Sequence, residues 1–230
     1  MSREFEVREE VVLPATPEQV WAAVATPEGH AAWFMSVDDI GAENATAWDP
    51  PKRFATKTPI AEDGSFHAFE YLIEGREGST VLRFVHSGVL TDEWSEDYED
   101  MTAQGWTMYL HTLAEYLTHF PGRPATYVEA EGPRSSAAPE AWAKLEAVLG
   151  VSAVGDEVSL DVPGVPKVEG VVDYLLPTFV GVRTADGLYR FHGRSALGMV
   201  AAVGHHLYGT EIPAADHVEA WRTWLHDVFA

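Results

Sequence analysis

The side chains best able to do chemistry in this 230-residue chain are its ten histidines, its 36 carboxylates and its aromatic rings. His111, Glu115 and His119 fall at i, i+4 and i+8, so one helical face could offer all three to a metal ion. No H-E-x-x-H pattern accompanies them, cysteine ligands are absent, and His205 and His206 are adjacent and point apart. A solvated helix face accounts for this set, so neither a metal nor a cofactor is expected. Ser87 and Ser195 lie outside any G-x-S-x-G setting, and no glycine-rich loop matches a phosphate or dinucleotide pattern. Glu70 and His86 are different, because each sits in an alternating apolar segment. Burial would raise a carboxyl pKa there and suit it to acid or base work. Such groups are more often satisfied polar side chains than catalysts, so no catalytic residue is assigned and enzyme activity stays undecided.

The rings carry more information. Trp33, Phe34, Phe66, Phe84, Trp94, Tyr98, Trp106 and Tyr109 are expected to converge between a sheet and a long helix. Ligand cavities are lined mostly by such groups, with a few polar ones to orient the guest. Gly105 sits mid-helix, where glycine costs up to about 1 kcal/mol relative to alanine, and it marks a place for the helix to leave room. The predicted ligand-binding set is Trp33, Phe34, Phe66, Glu70, Phe84, His86, Trp94, Tyr98, Gly105 and Tyr109.

Apolar spacing predicts a helix from about Tyr98 to Phe120, stopped by Pro121-Gly122. Acidic residues from Asp92 to Asp100 crowd its start, where the helix dipole favours negative charge. Upstream, Glu4–Leu13 reads as a strand. Thr16-Pro17-Glu18 and Thr26-Pro27-Glu28 each open a short helix. Strands follow near 46–48, 53–57, 66–74 and 80–89, joined by turns too short for parallel crossovers, so the sheet is expected to be an antiparallel meander.

This order resembles the helix-grip architecture of the START-like superfamily, also called SRPBCC. More narrowly it is similar to bacterial homologues of the activator of the heat-shock-protein-ninety ATPase. The segments that carry the resemblance are ATPEQVWAAVATPEGHAAWF at 15–34, VLRFVHSGV at 81–89, and Gly105-Trp106 with LHTLAEYL at 110–117. It covers roughly residues 5–120. It implies an α+β helix-grip domain that binds a small apolar or amphipathic molecule. Cyclase- or aromatase-like catalysis in the same cavity is one alternative, and binding to a chaperone is another.

From residue 123 the chain reads as a second, abbreviated α+β module: a strand near 126–130, a helix from Pro139, strands near 157–162, 167–175, 179–183, 188–192 and 199–203, and a helix from Pro213 to Phe229. GWTMYLHTL at 105–113 aligns without gaps on AWRTWLHDV at 220–228. TPEQVWAAVA at 16–25 resembles APEAWAKLEAV at 138–148. The expected plan is therefore a helix-grip domain at 1–122 and a degenerate tandem repeat of it at 123–230.

Charge bounds the partners. The net formal charge is −21, of which −15 lies in residues 1–122 and −6 in the remainder. Such a surface repels phosphates, so neither nucleic acid nor an anionic membrane is an expected partner. No apolar run approaches 18 residues. The charged opening MSREFEVREE and the lack of cysteine favour a cytoplasmic location. A homodimer stays open.

Overall fold

The computed structural model describes residues 2–37, 39–91 and 98–230, and the expected site residue Trp94 lies outside them. The chain forms two compact α+β units, Met1–Arg123 and Pro124–Ala230. Among the described residues, no helix is long and apolar enough to cross a membrane.

The first unit runs β1 (Arg3–Leu13), α1 (Pro17–Val24), α2 (Pro27–Ala31), β2 (Ala45–Asp49), β3 (Arg53–Lys57), β4 (Phe66–Arg76), β5 (Ser79–Leu90) and α3 (Tyr98–His119). The capping reading holds at atomic detail. Thr16 accepts from the Gln19 amide while Gln19 accepts from the Thr16 amide, and Thr26 accepts from the Gly29 amide at 3.0 Å. The strands form one antiparallel sheet in the order β1-β5-β4-β3-β2, so the first strand pairs with the last one before the long helix. α3 packs against the β1 side of that sheet. This is the helix-grip arrangement.

Register decides what each face carries. Opposite one another on β4 and β5 stand His67 and Gly88, Phe69 and His86, and Tyr71 and Phe84. On the other face, ion pairs join Arg53 to Glu70 at 2.7 Å, and Arg83 to Glu10 and Glu74 at 2.8 and 2.9 Å. That face is a solvated ladder of charge, while the ring-bearing face meets α1 and α3. Gly88 is needed on the inner face. A Cβ there would strike the Phe66 carbonyl and approach the Phe5 ring to 2.9 Å.

The second unit runs β6 (Thr126–Glu131), two 3₁₀ turns, α4 (Trp142–Leu149), β7 (Glu157–Leu160), β8 (Val168–Leu176), β9 (Phe179–Thr184), β10 (Gly187–His192), β11 (Ala202–Leu207) and α5 (Ala214–Val228). Its sheet order is β6-β11-β10-β9-β8-β7. The first strand again pairs with the strand that precedes the final helix. The unit is abbreviated in its helix, 15 residues against 22, but not in strand number. The last strand falls at 202–207 instead of near 199–203, so His205 and His206 are buried strand residues.

Candidate functional site

A cavity of about 670 Å³ opens between the inner sheet face and the α2–α3 side of the first unit. α2 contributes His30, and the chain leaving it contributes Phe34, Met35 and Val37. Phe54 and Thr56 come from β3, His67, Phe69 and Tyr71 from β4, His86 from β5 and Trp106 from α3. Asp39, Asn44, Lys57 and Thr58 add polar groups. The size suits a small organic molecule.

Many of the lining rings lie nearly parallel. Phe34 stacks on Trp106 at 5.0 Å, Phe69 on His86 at 4.4 Å, and Phe54 on Tyr71 at 5.6 Å, with interplanar angles of 18°, 22° and 12°. Phe84 lies one layer behind, 4.1 Å from the Trp106 ring. Phe5 closes the β1 side edge-on to His86 at 4.9 Å, which the missing side chain of Gly88 permits.

The polar chemistry is carried by histidines. Trp106 Nε1–H donates to His86 Nδ1 at 2.9 Å, and His86 Nε2 stands 3.0 Å from His67 Nδ1. Burial, with His67 as a second contributor, pushes His86 down to about 3. Burial lowers His67 as well. His30 is pushed down to about 4 by burial, opposed by its hydrogen bond to the Met35 carbonyl at 3.2 Å. All three are neutral at pH 7. Burial also raises the Tyr71 phenol well above its ordinary value.

Of the ten residues expected from sequence, Phe34 and His86 line the cavity. Phe84 supports Trp106 from behind, and Tyr109 meets Phe34 edge-on at 4.4 Å without lining the space. Trp33 is fully buried, with its indole donating to the Ala23 carbonyl at 2.9 Å, so it belongs to the helix-pair core. Tyr98 packs on Phe5 at 5.5 Å. Glu70 and Phe66 belong to the opposite sheet face, a correction forced by register. Glu70 pairs with Arg53, and Phe66 sits under the Lys57 ammonium at 3.6 Å. Gly105 is not among the residues lining the cavity, and a Cβ there would meet nothing within 4 Å. The glycine that makes room is Gly88.

His30, Phe54, His67, Phe69 and Tyr71 were missed, although the sequence held a signal for three of them. In His67-Ala-Phe69-Glu-Tyr71 the rings alternate with alanine and glutamate. The all-ring face was the better candidate for the interior.

The second unit repeats one part of this arrangement. Trp221 of α5 lies on His205 of β11 at 4.3 Å, as Trp106 lies beside His86. Val128 faces His205 across β6 and β11, as Val7 faces His86 across β1 and β5. The hydrogen bonding differs, because His205 Nδ1 accepts from the Arg190 amide at 3.1 Å. Tyr189, Phe191 and Trp224 crowd the Trp221 ring.

Residues 40–118 match a family model described as Activator of Hsp90 ATPase homolog 1-like protein. Comparison with curated proteins returned no match. Among solved structures, the Aha1 dimer from Colwellia psychrerythraea is similar at 18% identity and a TM-score of 0.41, over 49% of this chain and 96% of that one. DynU16, from the dynemicin biosynthetic locus, is 17% identical with a TM-score of 0.42 over 97% of this chain and 96% of its own. The di-domain ARO/CYC protein BexL, from the BE-7585A biosynthetic pathway, is 13% identical with a TM-score of 0.40 over 95% and 93%.

Proposed function

We propose that the first unit, a helix grip whose residues 40–118 match the Activator of Hsp90 ATPase homolog 1-like model, binds a small apolar or amphipathic molecule. The observation that carries this is the 670 Å³ space walled by Phe34, Phe54, Phe69, Tyr71 and Trp106. A tightly packed interior leaves few voids larger than a water molecule, so a space this size is not a packing defect. Neutral histidines then supply orientation without bringing charge into an apolar wall.

The test is a fluorescence titration with N-phenyl-1-naphthylamine, a neutral apolar probe, beside native mass spectrometry of the protein purified without detergent. Thr56→Trp should fill the space and abolish probe uptake while the circular dichroism spectrum is retained. No uptake by the wild-type protein, or uptake unaltered by Thr56→Trp, would refute the reading.

A second reading, a cyclase- or aromatase-like enzyme, is supported by His30 and His67 lining one cavity as two titratable groups. Chaperone binding rests on the description of the matching family model alone. We also propose that the second unit is a duplicated copy of the first. The shared strand pairing and the Trp221–His205 contact support that origin.

A further inference from the structure

Two hydrogen bonds settle which ring nitrogens of the histidine pair carry protons. An indole nitrogen only donates, so the His86 Nδ1 that receives the Trp106 Nε1–H must be bare. A neutral His86 then holds its proton on Nε2 and donates it to His67 Nδ1, 3.0 Å away. With its own Nδ1 accepting, a neutral His67 must carry its proton on Nε2. Among the described residues that nitrogen has no protein partner, and His67 lines the cavity. His30 is set the other way. Its Nδ1–H donates to the Met35 carbonyl at 3.2 Å, which leaves a bare Nε2 on a ring lining the same cavity.

We infer that this cavity selects a ring-bearing molecule with a carbonyl-type oxygen, which accepts from His67 Nε2–H, and a hydroxyl-type donor, which donates to His30 Nε2. The inference rests on the ligand-binding reading and sharpens it. The ring-bearing character follows from the aromatic walls, where Phe34 backs onto Trp106 and Phe69 onto His86. The oxygen requirement follows from the tautomer lock, since a guest that shuts this N–H off from water without offering an acceptor leaves it unsatisfied. Trp106 is a positioning residue here: it touches His86, and through His86 it fixes which atom His67 offers.

The test uses two probes of one shape. 2-Acetylnaphthalene and 2-isopropenylnaphthalene differ only in C=O against C=CH₂. Isothermal titration should give the ketone roughly three- to tenfold tighter binding, the worth of one buried hydrogen bond. Trp106→Phe and His67→Phe should each bring that ratio toward one. A hydroxyl added as 6-hydroxy-2-acetylnaphthalene should tighten binding in a manner that His30→Phe removes. Long-range proton–nitrogen NMR of the free protein should show His86 and His67 protonated at Nε2 and His30 at Nδ1. Equal binding of ketone and alkene, or a His67 protonated at Nδ1, would overturn the inference and leave the binding reading standing. Failure of every probe to bind would remove both.

Discussion

Acid should weaken the first unit through His30 in a way that can be isolated. The ring is 5% exposed, and burial lowers its pKa to about 4 from the ordinary 6.5. Between those values the unfolded chain takes up a proton that the folded chain refuses. Stability from this group is therefore complete above pH 6.5 and is lost as the pH falls toward 4. At pH 4.5 the loss from this one residue is about 2.5 kcal/mol, from roughly 1.4 kcal/mol per pH unit of unequal proton binding. His30→Phe keeps a ring beside Trp33 and Phe34, whose centroids lie 5.3 and 5.0 Å away, but removes the titration. His86 and the carboxylates titrate in both proteins and cancel in the difference. The assay is urea unfolding at pH 7.0 and 4.5, followed by the Trp33 indole resonance, a local probe bonded to the Ala23 carbonyl. The wild type should lose about 2.5 kcal/mol more than His30→Phe, roughly 1 M in urea midpoint at the m-values of domains this size. Equal losses would refute the claim that His30 is held neutral by burial.

Three further outcomes follow from the geometry. Gly105→Ala should stabilise the first unit by roughly 0.5–1 kcal/mol in thermal unfolding, because the helix gains a better former and the new methyl meets open space; destabilisation would show that the glycine makes room after all. Gly88→Ala should cost about 1–3 kcal/mol, since its methyl must displace the Phe66 carbonyl or the Phe5 ring. In the second unit, Asp173→Asn breaks a buried two-point pair with Arg190, at 2.7 and 2.9 Å, and should cost about 3–5 kcal/mol in chemical unfolding.

Local signals in this chain were legible because local physics acted alone on them. Thr16 and Thr26 cap helices since a hydroxyl before a proline-led turn can reach the free amides. The Tyr98 start of the long helix was readable from its apolar spacing and acidic opening. The matched GWTMYLHTL and AWRTWLHDV segments both become helices that carry a tryptophan onto a histidine. Segments near 199–207 were harder. Met199-Val-Ala-Ala-Val is wholly apolar whereas Ala202–Leu207 holds Gly204, His205 and His206, so composition favours the earlier stretch and only pairing with β6 and β10 places the strand at the later residues.

Residue patterning alone sets the kind and order of elements and shows that rings are concentrated in the strands and long helix of the first unit. Periodicity of two says that Phe66, Ala68, Glu70 and Leu72 oppose His67, Phe69, Tyr71 and Ile73; the ring content of the second set leans it inward, but alternation alone does not seat it there. That choice belonged to the tertiary structure, where Arg53 holds Glu70 outside and Trp106 meets His86 within. A one-residue shift in register exchanges the two faces entirely, so residues distant in sequence had to decide it.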